Sequence, residues 1–424
     1  MSKGCKMKKW IASSFFLAMT LAFAQGLRAQ HLFEHDYPVV QQENQMIRQL
    51  MEQVSKDSLE ATIDHLQFYH TRRWDSQMVY EVQDWLYETY RGMGIDSVFL
   101  HDFEFFHHDT LFGTSDNVIA IQRGLVYPDE YVVCGAHYDS YNKTPGHPDS
   151  LWAPGADDNA SGSSGIIETA RLLSRCTFER SIMYCAWAAE EVNLKGSAAF
   201  AKECNENQVD IVGYFNLDMI GYLEEGLEMQ VNLIYVNRDS TLANYIFDFC
   251  DVYYPDMLVR QSWMTNGDSD FSSFNRNGYA AVHLFENTRH YSPYIHTTSD
   301  ILGVSVNNMD QAKRFTELNL GLVATLAGLI SNGVDDVAEE GVTVYPNPVS
   351  ETLTVKGISI SQVEVFNTLG QRVLNKTCRG EEVHLDVSSL AAGVYVLLVT
   401  QGGDHHSLNG MHTVLRFVKY DAVL

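Results

Sequence analysis

The sequence predicts an α/β domain, a mainly parallel mixed sheet sandwiched by helices, followed by a C-terminal all-β sandwich. Three observations carry this. Between residues 97 and 331, apolar strand-like runs alternate with stretches of helical period, the pattern of a sheet covered on both faces. Beyond Asn332 helical period stops, and about seven short apolar runs follow, separated by turn chemistry such as Pro346-Asn347-Pro348 and Leu369-Gly370. The chain has 424 residues and is 45% apolar, enough for one large core and one small one.

The chain opens with Lys3, Lys6, Lys8 and Lys9, then an uncharged run from Trp10 to about Ala24, then small residues at Ala22-Phe23-Ala24 and Ala29. A basic start, an apolar middle and a small-residue exit read as a signal peptide over 1–29. The apolar run is shorter than the ~20 residues a spanning helix needs, and no later run is longer, so no transmembrane anchor is expected. Residues 30–333 form the large domain, with a helical N-terminal part over 30–75. The spacing predicts helices in 41–54, 58–69 and 76–90, the last closed by Gly92 and Gly94. Strands are expected at 97–106, 116–122, 131–134, 181–187, 209–217 and 280–285. Helices are expected at 161–173, 196–204, 241–253 and 308–331. An acidic, aperiodic linker, 334–340, leads to the β-sandwich of 341–424, with strands at 342–345, 352–355, 363–367, 371–374, 382–387, 393–400 and 414–420.

A net charge of −25 excludes nucleic acid as a partner bound through bulk electrostatics. Six cysteines remain beyond the leader, widely spaced and without a CxxC pair, which excludes a zinc finger. Cys134 and Cys185 lie in apolar runs and read as small buried hydrophobes; the export context permits a disulfide without saying which.

Five segments carry chemistry. In the first, Gly135-Ala136-His137-Tyr138-Asp139-Ser140, a His ends a strand where α/β folds place their sites, and Asp139 can accept the second imidazole N–H. The second, from Pro154 through Asp157, Asp158 and Asn159 to Gly165, enters a helix. Its adjacent carboxylates serve either a cation or the helix N-cap. In the third, Glu190 and Glu191 end an almost wholly apolar strand, where carboxylates are costly unless paired or metal-bound. Asp218 closes another apolar strand, and His296 sits in the polar loop Tyr294-Ile295-His296-Thr297-Thr298-Ser299-Asp300. Two imidazoles and three carboxylates at one sheet edge are ligand chemistry that zinc favours, and a shared carboxylate would hold two ions ~3.5–4 Å apart.

In order and spacing these five segments resemble the M28 family of co-catalytic zinc peptidases, over roughly residues 55–332. The resemblance implies a zinc-exopeptidase-like fold and a secreted two-zinc aminopeptidase acting on peptide or protein substrates. By motif position it implies that His137, Asp158 and Asp218 hold one zinc, and that Asp158, Glu191 and His296 hold the other. Glu190 is then the general base toward a water held between the ions, Asp139 orients His137, and Asp157 serves the turn. The segment 262–277, with Asp270, Phe271 and Phe274, resembles the part of the family beside the substrate pocket, which Tyr222, Tyr294 and Trp263 would help line. Glutaminyl cyclases and carboxypeptidases share this fold, and a non-catalytic binding ectodomain is the third class. The full ligand set with Glu190 favours peptide hydrolysis.

Residues 341–424 resemble the type A sorting domain of the type IX secretion system through Val344-Tyr345-Pro346-Asn347-Pro348, Val365 to Gln371, and Leu390 to Tyr395. An insertion at 402–410 lengthens the last hairpin. This resemblance implies export through the periplasm by that machinery, with release or attachment at the outer-membrane surface.

Overall fold

In a computed structural model the described residues are 31–107, 110–263, 268–331 and, toward the C-terminus, 342–346, 349, 351–367, 372–391, 393–401 and 411–419. The signal-peptide, linker and 402–410 readings lie outside them. The chain divides into two compact units, 1–332 and 333–424.

The first unit opens with three helices, α1 (Gln45–Glu52), α2 (Lys56–Phe68) and α3 (Gln77–Gly92). Each starts where a short polar side chain satisfies an orphan amide: Asn44 accepts from Met46 N, Ser55 from Ser58 N, and Ser76 from Val79 N. Their apolar stripes, such as Leu59, Ile63 and Leu66 on α2, are buried.

Eight strands form one sheet in the order β1-β2-β5-β3-β6-β9-β7-β8. They are β1 (Ser97–His107), β2 (Thr110–Gln122), β3 (Tyr127–His137), β5 (Arg180–Trp187), β6 (Asp210–Leu217), β7 (Gln230–Tyr235), β8 (Leu258–Ser262) and β9 (Ala281–Phe285). The central run β5-β3-β6-β9 is parallel, and β7 pairs in parallel with β8. The β1–β2, β2–β5 and β9–β7 pairs are antiparallel, so the sheet is mixed with a parallel centre. Alternate side chains feed opposite faces: Val132 and Cys134 join one core, Val133 and Cys185 the other. Helices α4 (Gly162–Leu173) and α8 (Met309–Leu326) pack together with α1 and α2 on the first face. Helices α5 (Lys195–Glu206) and α7 (Phe271–Arg276) pair on the second. Helix α6 (Ser240–Tyr253) completes the set, its Leu242, Ile246 and Phe249 in the first core.

Two expectations are corrected here. The terminal helix, expected to reach Ser331, stops at Leu326. Gly328 takes a left-handed φ of +72°, and Leu329–Ser331 becomes β10, paired with β4 (Thr177–Phe178). Strands β7 and β8 and helix α7 were not expected. The six cysteines beyond the leader are all free thiols.

The second unit is a five-stranded antiparallel sheet, β11 (Thr343–Tyr345), β12 (Thr352–Phe366), β13 (Arg372–Asp386), β14 (Gly393–Gln401) and β15 (Met411–Lys419). Runs expected as separate strands are the two ends of β12 and of β13. Register shifts between Lys356 and Gln362 bend β12, so its first half pairs with β11 and its second with β14. Val355, Val363, Leu385 and Leu397 close its own core.

Candidate metal centre

Parallel strands end on the same edge, so the exits of β3, β5, β6 and β9 converge. His137 is the last residue of β3, Glu190 and Glu191 follow β5, and Asp218 follows β6. Between β3 and α4 the chain makes a kinked turn, Ala156–Ser161, with Asp158 and Asn159 at non-helical backbone angles and all six residues buried. It carries Asp157 and Asp158. Gly155, just before it, has φ +55°, and a Cβ there would meet Asp158 O at 2.5 Å. A loop after β9 brings His296 back over the edge, also at left-handed φ.

Two groups of ligand atoms result, His137 with Asp158 and Asp218, and Asp158 with Glu191 and His296. In each, the atoms lie within 4.8 Å of one another. His137 Nε2 is 3.2 Å from Asp158 Oδ1 and 3.6 Å from Asp218 Oδ1. His296 Nε2 is 3.0 Å from Asp158 Oδ2 and 2.9 Å from Glu191 Oε2. Ligands of a tetrahedral zinc with bonds near 2.1 Å stand about 3.4 Å apart, so both groups have the right span. The donor set passes a second test. His137 Nε2, Asp218 Oδ1 and Glu191 Oε1 are buried without a hydrogen-bond partner, an arrangement that costs free energy unless something else is bound.

Electrostatics points the same way. Burial, then repulsion by Asp158, pushes the Glu191 carboxyl up to about 7. Burial drives Glu190 well above its ordinary value, and Glu191, Asp270 and Asp218 add to this against the pull of His137. Burial alone would lower His296, but Asp158 and Glu191 raise it to about 11. A bound cation would relieve this surplus of negative charge. The residues present therefore fit zinc.

The surroundings fix the donors. Asp139 Oδ1 accepts from Glu190 N at 3.0 Å and Oδ2 from Glu191 N at 3.2 Å. His137 Nδ1 is 3.2 Å from the Asp139 carbonyl and 3.5 Å from its carboxylate. Asp139 thus touches all three residues, chiefly through the two glutamate amides. Asp157 Oδ1 accepts from Gly221 N at 2.9 Å, a contact to the segment after β6, 64 residues away. Ser269 Oγ donates to Asp218 Oδ2 at 2.7 Å, and Asp300 accepts from the amides of Asp157 and Asp158. Arg72 is fully buried and donates to four carbonyls, those of Leu66, Tyr138, Pro154 and Gly155. It ties the β3 exit to the approach to Asp158. Of these three, Asp300 lay within a quoted motif without a role. Arg72 and Ser269 carried no local signal, because three of the four Arg72 acceptors and the carboxylate that Ser269 reaches are distant along the chain. Of the residues expected beside the substrate, Phe271 and Phe274 are buried in the second core, whereas Trp263 is exposed. Tyr222 and Tyr294 meet edge to face at 6.5 Å.

A family model described as peptidase family M28 matches residues 117–322. One described as a secretion system C-terminal sorting domain matches residues 343–408. Leucine aminopeptidase 1 of Paracoccidioides brasiliensis strain Pb03 is 30% identical over 300 residues, 66% of this chain and 73% of that protein. Among solved structures, the LapA aminopeptidase of Legionella pneumophila superposes with a TM-score of 0.59 at 23% identity, over 70% of this chain and 78% of its own. Glutaminyl cyclase of Porphyromonas gingivalis superposes with a TM-score of 0.53 at 18% identity, over 64% and 98%. At these identities the two structures share the fold.

Proposed function

Because the chain belongs to peptidase family M28, we propose that this peptidase is an exported two-zinc aminopeptidase. His137, Asp158 and Asp218 would hold one ion, and Asp158, Glu191 and His296 the other. The observation that carries this reading is the position of Asp158, each oxygen facing a different histidine at 3.2 and 3.0 Å. A carboxylate so placed serves both groups at once.

When bound, the ions supply Lewis acidity that polarises a carbonyl and acidifies water. The chain's own residues do the rest. Glu190, with Oε2 4.0 Å from His137 Nε2, accepts a proton from the attacking water. The water oxygen bonds to the carbonyl carbon, the C–N bond breaks, and Glu190 returns the proton to the leaving amine. Asp139 keeps Glu190 and Glu191 on their separate tasks by gripping both amides. The sorting domain marks the protein for export to the surface or medium, and we assign the route to the type IX machinery through the periplasm. Among the described residues no helix is long and apolar enough to cross a membrane.

The test is hydrolysis of aminoacyl-p-nitroanilides and their N-acetyl counterparts by the full-length protein and by Glu190→Gln, with metal content measured on the same samples. Cleavage of free-amine substrates, refusal of acetylated ones, two zinc per chain and an inactive variant are expected. Inactivity of the zinc-loaded wild type on free-amine substrates, or one ion per chain, refutes the reading. Cyclisation of N-terminal glutamine would then be measured.

A further inference from the structure

Beside Glu191, on the flank away from the β6 exit, a pocket of about 380 Å³ opens to solvent. That volume lies in the range of small-ligand sites and leaves room for roughly one or two residues. Its walls are aromatic: Trp74, Phe106, Phe112 and Tyr141. Phe106 and Phe112 are 53% and 54% exposed near the β1–β2 hairpin. Trp74 holds Phe112 at a ring distance of 5.3 Å. Tyr141 stands edge-on to His296 at 5.2 Å, so the pocket runs directly into the candidate metal centre. The floor carries charge. Arg73 is paired with Asp75 and Asp149. Lys195, the first residue of α5, lines the same pocket, and no ion pair engages it among the described residues.

We propose that this pocket holds the downstream end of a short peptide, and that the Lys195 ammonium receives its free C-terminal carboxylate. The inference rests on the aminopeptidase reading. Charge sets the direction. An α-ammonium beside Lys195 would be repelled, whereas a carboxylate is attracted in a chain that otherwise carries a large negative excess. The aromatic walls give apolar area to the residue next to that carboxylate. The substrate class is therefore di- and tripeptides with a free carboxyl end, with an apolar or aromatic residue favoured at that end.

The experiment compares Leu-Gly-Phe with Leu-Gly-Phe amide, using full-length zinc-loaded wild type, Lys195→Met and Lys195→Arg. Leucyl-p-nitroanilide hydrolysis is run on each sample to report an assembled site. A partly exposed ion pair is worth about fivefold. The wild type is therefore expected to prefer the free acid over the amide by ~5-fold in kcat/KM, through KM, and less so in high salt. Lys195→Met brings the ratio close to one, and Lys195→Arg restores it. A wild type without acid preference, or a Lys195→Met protein that retains it, overturns the proposal. If the wild type leaves leucyl-p-nitroanilide untouched, the aminopeptidase reading fails and this inference falls with it.

Discussion

Replacing Arg72 with Met removes the buried fork that joins α2, the β3 exit and the approach to Asp158. The guanidinium is fully buried, and burial lowers its pKa only to about 10, so it remains charged. Its removal strands four carbonyls at once, those of Leu66, Tyr138, Pro154 and Gly155. A hydrogen bond to a charged group contributes about 1.5–3 kcal/mol, but four sharing one donor are not additive. Deleting one member of a buried charged network costs about 3–5 kcal/mol. For a unit of this size that is a fall of roughly 5–8 °C in Tm. The assay is thermal unfolding with and without chelator, alongside zinc affinity. Arg72→Met should lose both stability and metal affinity, because Tyr138 and Gly155 lead directly to ligands. Arg72→Lys, which keeps the charge but not the fork, should fall between. Unfolding of Arg72→Met within about 1 kcal/mol of wild type would refute the reasoning.

Asp139→Asn keeps one acceptor of the two that grip Glu190 and Glu191, and should lower zinc affinity or turnover by about 10–100-fold, read by chelator competition and kcat. Zinc binding should release protons, because His296 is raised to about 11 by its carboxylates and must be neutral to ligate. Affinity should then weaken as pH falls, and an indicator-dye titration showing no proton release would contradict this. Asp116, facing Asp102 across β1 and β2, is raised to about 7 by burial first and Asp102 second. The folded state then binds this proton more tightly than the unfolded one, so stability is lost as pH rises from about 4 through 7. Asp116→Asn should stabilise by about 1 kcal/mol at pH 8, after allowance for solvent screening, and by little at pH 4. The six thiols are free, so Tm should not change with a reductant, and a shift of several degrees would reveal a disulfide.

The parallel centre was legible in the sequence because strands covered on both faces become unbroken apolar runs, as at 181–187 and 209–217. The outer strands β7 and β8 were not, since β8 is half-exposed with Arg260 and Gln261 in it, and its pairing with β7 is set by the whole sheet. The break in the terminal helix turned on one residue, Gly328, whose left-handed backbone follows from where Glu179 and β4 lie. The candidate ligands stood out because His137, Glu190, Glu191 and Asp218 interrupt or end apolar runs. The groups that hold them did not. Three of the four Arg72 acceptors lie 66 to 83 residues away, and the Ser269 acceptor 51 residues away, distances at which a sequence carries no local pattern. In the second unit turn residues located the strands, but not that two pairs of them were continuous across bends.

The donors of the candidate centre come from five separate stretches between His137 and His296, each delivered by a different strand or loop. Each stretch holds one of them, so a partly formed or clipped chain offers at most a fragment of the site. If the centre holds zinc as proposed, uptake of the ion would act as proofreading. The ion would then be retained only by a chain whose central strands have all found their neighbours, and the proposed activity would be withheld from incomplete forms.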